Sequence, residues 1–245
     1  MNCEATVQHL VKWLQERVAA AGAKGVVFGL SGGVDSAVAA VIAKRAFPND
    51  CLALMMPCHS PVNDLLHSQA LVAQFDIPSR MVEIENAYNL LIPQFESFIK
   101  TEGDRGKLIR ANIKPRLRMI TLYYSAQSRN YLVVGTSNKS EINIGYSTKY
   151  GDSAVDLQLL GDLLKKEVYE LAEYLKIPDF IIEKPPSAGL WADQTDENEM
   201  GFTYAQLDRY LETGEGEPEV ISKIQKMMKA SEHKRQMPPI AIIPR

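Results

Sequence analysis

One stretch, Val26 to Ala46, constrains the fold more than any other part of the 245-residue chain. It reads VVFGLSGGVDSAVAAVIAKRA: a β-branched apolar run, a glycine-rich knot, then a helix-like segment. A buried strand that turns tightly into a helix is the opening of a crossover unit. Such units build parallel sheets with helices on both faces.

The knot has the makings of an anion site. Glycines let the backbone turn and approach a ligand closely, and the following helix offers unpaired N–H groups at its start. Ser31 and Ser36 add hydroxyls. A Walker A loop needs G-x-x-x-x-G-K-[ST], and a dinucleotide fingerprint needs G-x-G-x-x-G; GLSGGVDS satisfies neither. The plainer alternative is a glycine turn with Ser and Asp caps. Asp35 speaks against it, because a carboxylate in an anion nest repels phosphate unless a cation lies between them. A hard cation such as Mg²⁺ takes carboxylate and phosphate oxygens together. The loop therefore reads as a Mg²⁺–pyrophosphate holder.

The surrounding pattern extends the same architecture. Val7, Leu10, Val11, Leu14 and Val18 recur on one face of a helix expected over Thr6–Ala20. Strands are expected at Val26–Leu30, Leu52–Met56, Met81–Ile84 and Tyr131–Gly135. Helices are expected at Val34–Phe47, Val62–Phe75, Ala87–Ile99, Leu108–Ser128 and Lys165–Leu175. Thr101–Lys107 reads as a polar break and Lys184–Gly201 as an acidic surface loop or lid. Short helices near Thr203–Leu211 and Pro218–Glu232 close the chain. The expected fold is α/β, a Rossmann-like open parallel sheet with helices on both faces. It forms a single domain over 1–245 with helical C-terminal additions.

Composition narrows the function classes. A net charge of −3 argues against broad electrostatic binding to nucleic acid. No apolar run reaches the length of a membrane span, and the N-terminus lacks a signal-peptide layout. Cys3, Cys51 and Cys58 show neither metal-ligand spacing nor a disulfide framework, which favours a reduced, cytoplasmic setting.

SGGVDS resembles the pyrophosphate loop of the N-type ATP pyrophosphatases, which cleave ATP between the α and β phosphates and pass AMP to an acceptor oxygen. Gly135–Asp156, GTSNKSEINIGYSTKYGDSAVD, is similar to the ammonia-dependent NAD synthetases within that group. NIKPRLRM, KPPSAGLW, QTDENEMGFTYAQLDRYL and EHKRQMPP resemble further blocks of the same family in the same order. The likeness spans nearly the whole chain from about residue 5.

The resemblance implies ATP-dependent amidation of deamido-NAD to NAD by ammonia, through a nicotinate acyl-adenylate, with release of AMP and pyrophosphate. It implies that Gly29, Leu30, Ser31, Gly32, Gly33, Val34, Asp35 and Ser36 cradle ATP, with Thr136, Lys165 and Ser187 as further ATP contacts. Asp35 and Glu141 would hold Mg²⁺. Arg116, Lys149, Asp156, His233 and Lys234 would bind deamido-NAD, with Tyr123 and Tyr146 as candidates for stacking on the pyridine ring. Lys165 would supply the point charge the glycine loop lacks, and Asp152 or Asp156 would hold and deprotonate the incoming ammonia.

Two departures from the family pattern stand out. No proline follows Asp156 in DLQLLGDLLKKEV, and Gly189 stands where an acidic residue is usual. Roughly twenty-five residues precede the first strand, too few for a glutamine-hydrolysing domain, so free ammonia is the expected nitrogen donor. The family also implies a homodimer, with Leu108, Ile109, Ile113, Leu117, Ile120 and Tyr124 as a candidate contact face. The alternatives are another adenylating enzyme, tRNA-modifying or serving an amidotransferase, or an ATP-sensing module without turnover. A tRNA-modifying member should carry a basic face or paired cysteines, and a sensing module is expected to lose Asp35 or Glu141.

Overall fold

The structure, a computed structural model, describes residues 1–99, 102–187, 189–191 and 195–244. Its elements in order are α1 (Cys3–Ala20), β1 (Gly25–Gly29), α2 (Val34–Ala46), β2 (Cys51–Met55), α3 (Val62–Phe75), β3 (Ser79–Met81), α4 (Glu85–Glu96), α5 (Gly103–Ala111) and α6 (Ile113–Arg129). Then follow β4 (Tyr131–Gly135), α7 (Lys139–Ile144), β5 (Leu157–Gln158), α8 (Lys165–Tyr174), α9 (Asp179–Ile182), α10 (Asp196–Met200), α11 (Tyr204–Thr213) and α12 (Pro218–Ala230).

The described strands form one parallel sheet in the order β3-β2-β1-β4-β5. Strand β1 alternates between two cores. Val26 and Phe28 pack with α1, α2 and α8, whereas Val27 packs with Leu52, Leu54, Ala126 and Val133 on the opposite face. A period of two with both faces apolar is what a strand covered on both sides requires. Helix α2 is buried from Ala37 to Ala43, and its small side chains let it lie close to the sheet. A third cluster, Ile144, Met200, Phe202, Tyr204, Leu207 and Ile224, joins the C-terminal helices to α7. No described helix is long and apolar enough to cross a membrane.

The α/β class, the parallel sheet and the helices on both faces agree with the sequence reading, but several boundaries do not. The helix expected over Leu108–Ser128 is two helices meeting at Asn112, whose side chain accepts a hydrogen bond from Thr148 Oγ1 at 2.8 Å. Pro115 follows within the first turn of α6 and has no N–H to continue the α5 ladder. The described part of the polar break, from Gly103, is already helical. β3 lies two residues earlier than expected. The segment Lys184–Gly201, expected as a loop, carries a short helix, α10, while Ala188 and residues 192–194 of it lie outside the described residues.

The order of strands positions the site. The chain leaves β1 toward β2 on one side and returns to β4 on the other, so the switch point lies between β1 and β4. Open α/β sheets bind ligands beyond the C-terminal strand ends at that point. Here those ends carry the Gly29–Ser36 loop and Thr136.

Candidate active site

A cavity of about 670 Å³ opens above the C-terminal ends of β1, β2 and β4. The loop after β1 forms its floor, and Gly32 and Gly33 play different parts. Gly32 has φ +77°, and a Cβ there would lie 2.3 Å from the Asp64 carbonyl of α3. It does not line the cavity; it lets the loop lie against α3. Gly33 is extended, precedes α2 and does line the cavity. Ser36 Oγ donates to the Gly33 carbonyl at 2.9 Å and accepts from Ser31 N at 3.2 Å, which holds the turn closed.

Asp35 and Glu141 come together as expected, held by groups from several elements. Asn138, fully buried, caps α7 by accepting from Glu141 N at 3.0 Å, and donates from Nδ2 to Asp35 Oδ1 at 2.8 Å. Lys165 opens α8, and its Nζ reaches Asp35 Oδ2 at 2.5 Å and Glu141 Oε1 at 3.5 Å. Tyr204 donates to Asp196 Oδ2 at 2.9 Å and lies 3.3 Å from Glu141 Oε1.

Electrostatics follow from this crowding. Burial, then the Asp35 charge, push Glu141 up to about 8. Burial alone would lower Lys165, but Asp35 and Glu141 outweigh it and hold its ammonium firmly protonated. Asp35 and Glu141 converge on the Lys165 ammonium, and their hard oxygens are donors of the kind that suit a hard divalent ion. Among the described residues no three His, Cys, Asp or Glu side chains form a cage. An ion there needs ligand oxygens to complete its shell, which is how Mg²⁺ is usually held beside phosphates.

The acceptor-side residues divide. Arg116, Lys149 and Lys234 line the cavity; His233 does not, although Lys149 Nζ donates to its carbonyl at 2.7 Å. Lys234 Nζ donates to the Gly145 and Ser147 carbonyls, both at 2.6 Å, and so shapes the loop before Lys149. Asp152 lines the cavity and accepts from Thr148 N at 2.9 Å. It is open to the cavity yet enclosed by protein, and that desolvation raises its pKa. Thr136, Ser187 and Tyr146 also line the cavity, with the Tyr146 hydroxyl bonded to Glu199.

Asp156 and Tyr123 stand elsewhere. Asp156 accepts from Val133 N at 2.8 Å and from the Tyr123 hydroxyl at 3.1 Å, and neither residue lines the cavity. Of the two aspartates Asp152 lines the cavity and Asp156 does not, and Tyr123 is not placed to stack within it. The missing proline has a structural counterpart: Leu157 and Gln158 pair with Val134 and Gly135 as β5. Gly189 has φ +61°, the left-handed region that favours glycine.

Asn138, Asp196, Tyr204 and Asp208 were not singled out from the sequence. Asp208, buried on α11, accepts from Ser140 Oγ at 2.5 Å and from Lys166 N at 2.8 Å, while Lys165 N donates to Ser140 Oγ at 3.1 Å. It therefore ties α7 to the start of α8. The local signal for Asn138 is its place before a helix with Glu three residues on, a capping-box spacing, within the family-like block Gly135–Asp156.

Fold and site together define an α/β nucleotide-binding enzyme whose glycine loop faces a carboxylate–lysine cluster at the topological switch point. The family model described as NAD synthase matches residues 6–238, and the chain belongs to that family. It is 64% identical over 244 residues to an NH(3)-dependent NAD(+) synthetase of Syntrophomonas wolfei, covering 100% of this chain and 98% of the relative. Among solved structures it is similar to an NMN synthetase from Francisella tularensis (TM-score 0.92, 37% identity, 100% and 99% of the two chains). It is also similar to the NH3-dependent NAD synthetase of Campylobacter jejuni (TM-score 0.84, 31% identity, 99% and 100%).

Proposed function

We propose that the chain catalyses ATP-dependent amidation of deamido-NAD to NAD with ammonia, releasing AMP and pyrophosphate. The observation that carries this reading is the convergence of the Gly29–Ser36 loop, Asp35, Glu141 and Lys165 on one cavity that also holds Asp152. A carboxylate is a poor acyl donor because oxide would have to leave. Adenylation supplies AMP as the leaving group, and the enzyme must absorb the charge of departing pyrophosphate.

Gly29, Ser31, Gly33, Ser36 and the first turn of α2 bind pyrophosphate through N–H and hydroxyl groups, with Thr136 and Ser187 as further ATP contacts. Lys165 adds positive charge to the leaving group. Asp35 and Glu141 would hold Mg²⁺, which when bound neutralises phosphate oxygens that two bare carboxylates would repel. Arg116, Lys149 and Lys234 bind the anionic acceptor, and the His233 carbonyl holds Lys149 Nζ from outside the cavity lining. Asp152 receives ammonium and takes its proton, which frees the lone pair for attack on the acyl carbon.

The described helices leave Leu108, Ile109, Ile120 and Tyr124 exposed, which supports a homodimer through this face. Cys3, Cys51 and Cys58 are free thiols, in keeping with a cytoplasmic setting. The chain would act as one ATP-pyrophosphatase unit over 1–245 that takes free ammonia.

A second acceptor deserves the same assay, because the backbone follows the Francisella NMN synthetase more closely than the Campylobacter enzyme. The protein is incubated with MgATP, ammonium and either deamido-NAD or nicotinate mononucleotide, and AMP, pyrophosphate and the amide product are measured. Equal amounts of AMP and NAD from deamido-NAD are expected. Turnover of the mononucleotide alone would transfer the reading to that acceptor, and AMP without an amide would point to a different one.

A further inference from the structure

The basic side chains that line the cavity are Arg116, Arg118, Lys149, Lys165, Lys184 and Lys234. All but one are committed to protein acceptors. Arg116 donates to the Asn112 and Lys149 carbonyls, Lys149 to the His233 carbonyl, and Lys234 to those of Gly145 and Ser147. Lys165 pairs with Asp35 and Glu141, and Lys184 with Asp64 at 2.5 Å.

Arg118 differs. Its Nε donates to the Met56 carbonyl at 3.3 Å, which sets the guanidinium plane at the C-terminal end of β2. Among the described residues, neither of its terminal nitrogens has a hydrogen-bond or ion-pair partner. A fork of donors, held in plane by one bond and open to the cavity, is a shaped anion receptor. Arginine matches a carboxylate through two parallel N–H···O bonds, which a lysine cannot do.

The surroundings narrow the ligand. Met56 and Leu122 also line the cavity and approach the loop: a Cβ on Gly29 would lie 3.4 Å from Met56 Cε and 4.0 Å from Leu122 Cδ1. This apolar wall beside a planar fork suits a flat aromatic acid better than a phosphate. Asp152 and Arg118 influence one another electrostatically across the cavity. A carboxylate on the fork would then have Asp152, the ammonium site proposed above, within the same chamber.

We propose that Arg118 binds the carboxylate of the acceptor, gripping it edge-on so that one oxygen is aimed at the α-phosphorus of ATP. This rests on the acceptor reading given above. The aimed oxygen forms the new O–P bond as the bond from phosphorus to the bridging oxygen breaks, and pyrophosphate leaves with that electron pair. Arg118 gives up no proton. It orients the nucleophile, and it discriminates the acid from its own amide product.

The test uses that discrimination. Deamido-NAD and NAD differ at the carboxylate alone, so calorimetric titration of both isolates the contact. The full-length protein is titrated with Mg²⁺ and α,β-methylene ATP, whose α–β bridge cannot be displaced. The wild type is expected to prefer deamido-NAD. Arg118→Gln should weaken deamido-NAD about 10- to 100-fold, leave NAD nearly unchanged and so abolish the preference. Arg118→Lys, which keeps the charge without the fork, should fall between and carries the test if the glutamine variant fails to fold. Equal weakening of both ligands would assign Arg118 to a phosphate shared by them and overturn the proposal, as would an undiminished preference in both variants. A wild type that binds neither dinucleotide would overturn the acceptor reading itself, a result distinct from loss of preference alone.

Discussion

Lys165 and Asp35 stand 130 residues apart in the chain, yet the ammonium of one lies 2.5 Å from the carboxylate of the other. Glu141 shares the same ammonium at a longer 3.5 Å. Two carboxylates thus converge on one lysine, and Asp196 lies close enough to add a further repulsion to Glu141. This is an arrangement suited to receiving cations and costly without them.

The cost is measurable through Glu141, which burial and Asp35 raise from 4.5 to about 8. A carboxyl with a folded pKa above its unfolded one holds its proton more tightly when folded. Its effect on stability is therefore most favourable below pH 4.5, declines as pH rises through about 8, and is fully adverse above that. Glu141→Gln, fixed in the neutral form, should unfold at a temperature roughly 2–5 °C higher than the wild type at pH 9 without divalent metal. At pH 5 the gap should shrink. Amidation should fall by about 100-fold or more, because a proposed ion ligand is gone. Thermal unfolding at both pH values, with turnover measured alongside, checks this. A variant less stable at pH 9 would mean that the Lys165 attraction outweighs the burial.

The paired glycines separate structure from chemistry. Gly32→Ala places a methyl 2.3 Å from the Asp64 carbonyl at a φ of +77°, so both backbone and steric terms oppose it. A loss of roughly 2–4 kcal/mol in stability is expected. Gly33→Ala meets nothing nearer than Ser31 Oγ at 3.5 Å and should fold normally. Its methyl would nonetheless stand where pyrophosphate needs the backbone. ATP affinity should drop about tenfold or more at an unchanged unfolding temperature. Chemical denaturation and nucleotide titration of the two variants distinguish these outcomes.

The same contrast explains how far the site could be read in advance. The strand, glycine loop and helix over Val26–Ala46 are legible because local rules agree: a continuous β-branched apolar run, glycine at tight backbone, and Asp in a helix's first turn. Lys165, Asp152 and Glu141 became candidates through resemblance, since a charge in a polar stretch carries no local sign of where it points. Asn138, Arg118 and Asp208 lie inside family-like blocks, yet their roles are not legible there for a physical reason. Their partners Asp35, Met56 and Ser140 lie 103, 62 and 68 residues away, and only the completed sheet brings them together. Asp156 shows the converse: a motif match named it, but Val133 N of β4 and the Tyr123 hydroxyl of α6 engage its two oxygens outside the cavity.

Asp208 offers a test of how the cluster is held. It is 2% exposed and accepts from Ser140 Oγ and Lys166 N, at the junction of the helices that carry Glu141 and Lys165. Asp208→Ala leaves both donors without their acceptor in a dry place, at a cost of about 3–5 kcal/mol. Asp208→Asn keeps one acceptor oxygen and should recover part of that loss. Both variants should lower the rate of adenylation more than they weaken acceptor binding, because they shift Lys165 relative to Asp35. Denaturant melts and pyrophosphate release rates provide the comparison. A full-rate Asp208→Ala would show that α8 keeps its place without this cap.

The role proposed for Asp152 lies in the second half of the reaction. Ammonia at neutral pH is almost wholly ammonium, so the site must bind the cation and then remove its proton before nitrogen can attack. Asp152 faces the cavity, keeps Oδ1 on Thr148 N and has a raised pKa from its enclosure, which suits a group that must accept a proton. Asp152→Asn removes both the charge and the base but leaves the side chains of the pyrophosphate loop, Lys165 and Arg118 in place. Pyrophosphate release should continue in a first turnover, while NAD formation falls about 100-fold at fixed ammonium. Raising the pH should restore part of the lost rate, because solution then supplies free ammonia that needs no base. Rapid-quench measurement of AMP, pyrophosphate and NAD across pH 7 to 9.5 follows each step. Equal loss of adenylation and amidation, or a defect that persists unchanged at high pH, would remove Asp152 from the ammonia step and leave it a loop-shaping residue bonded to Thr148.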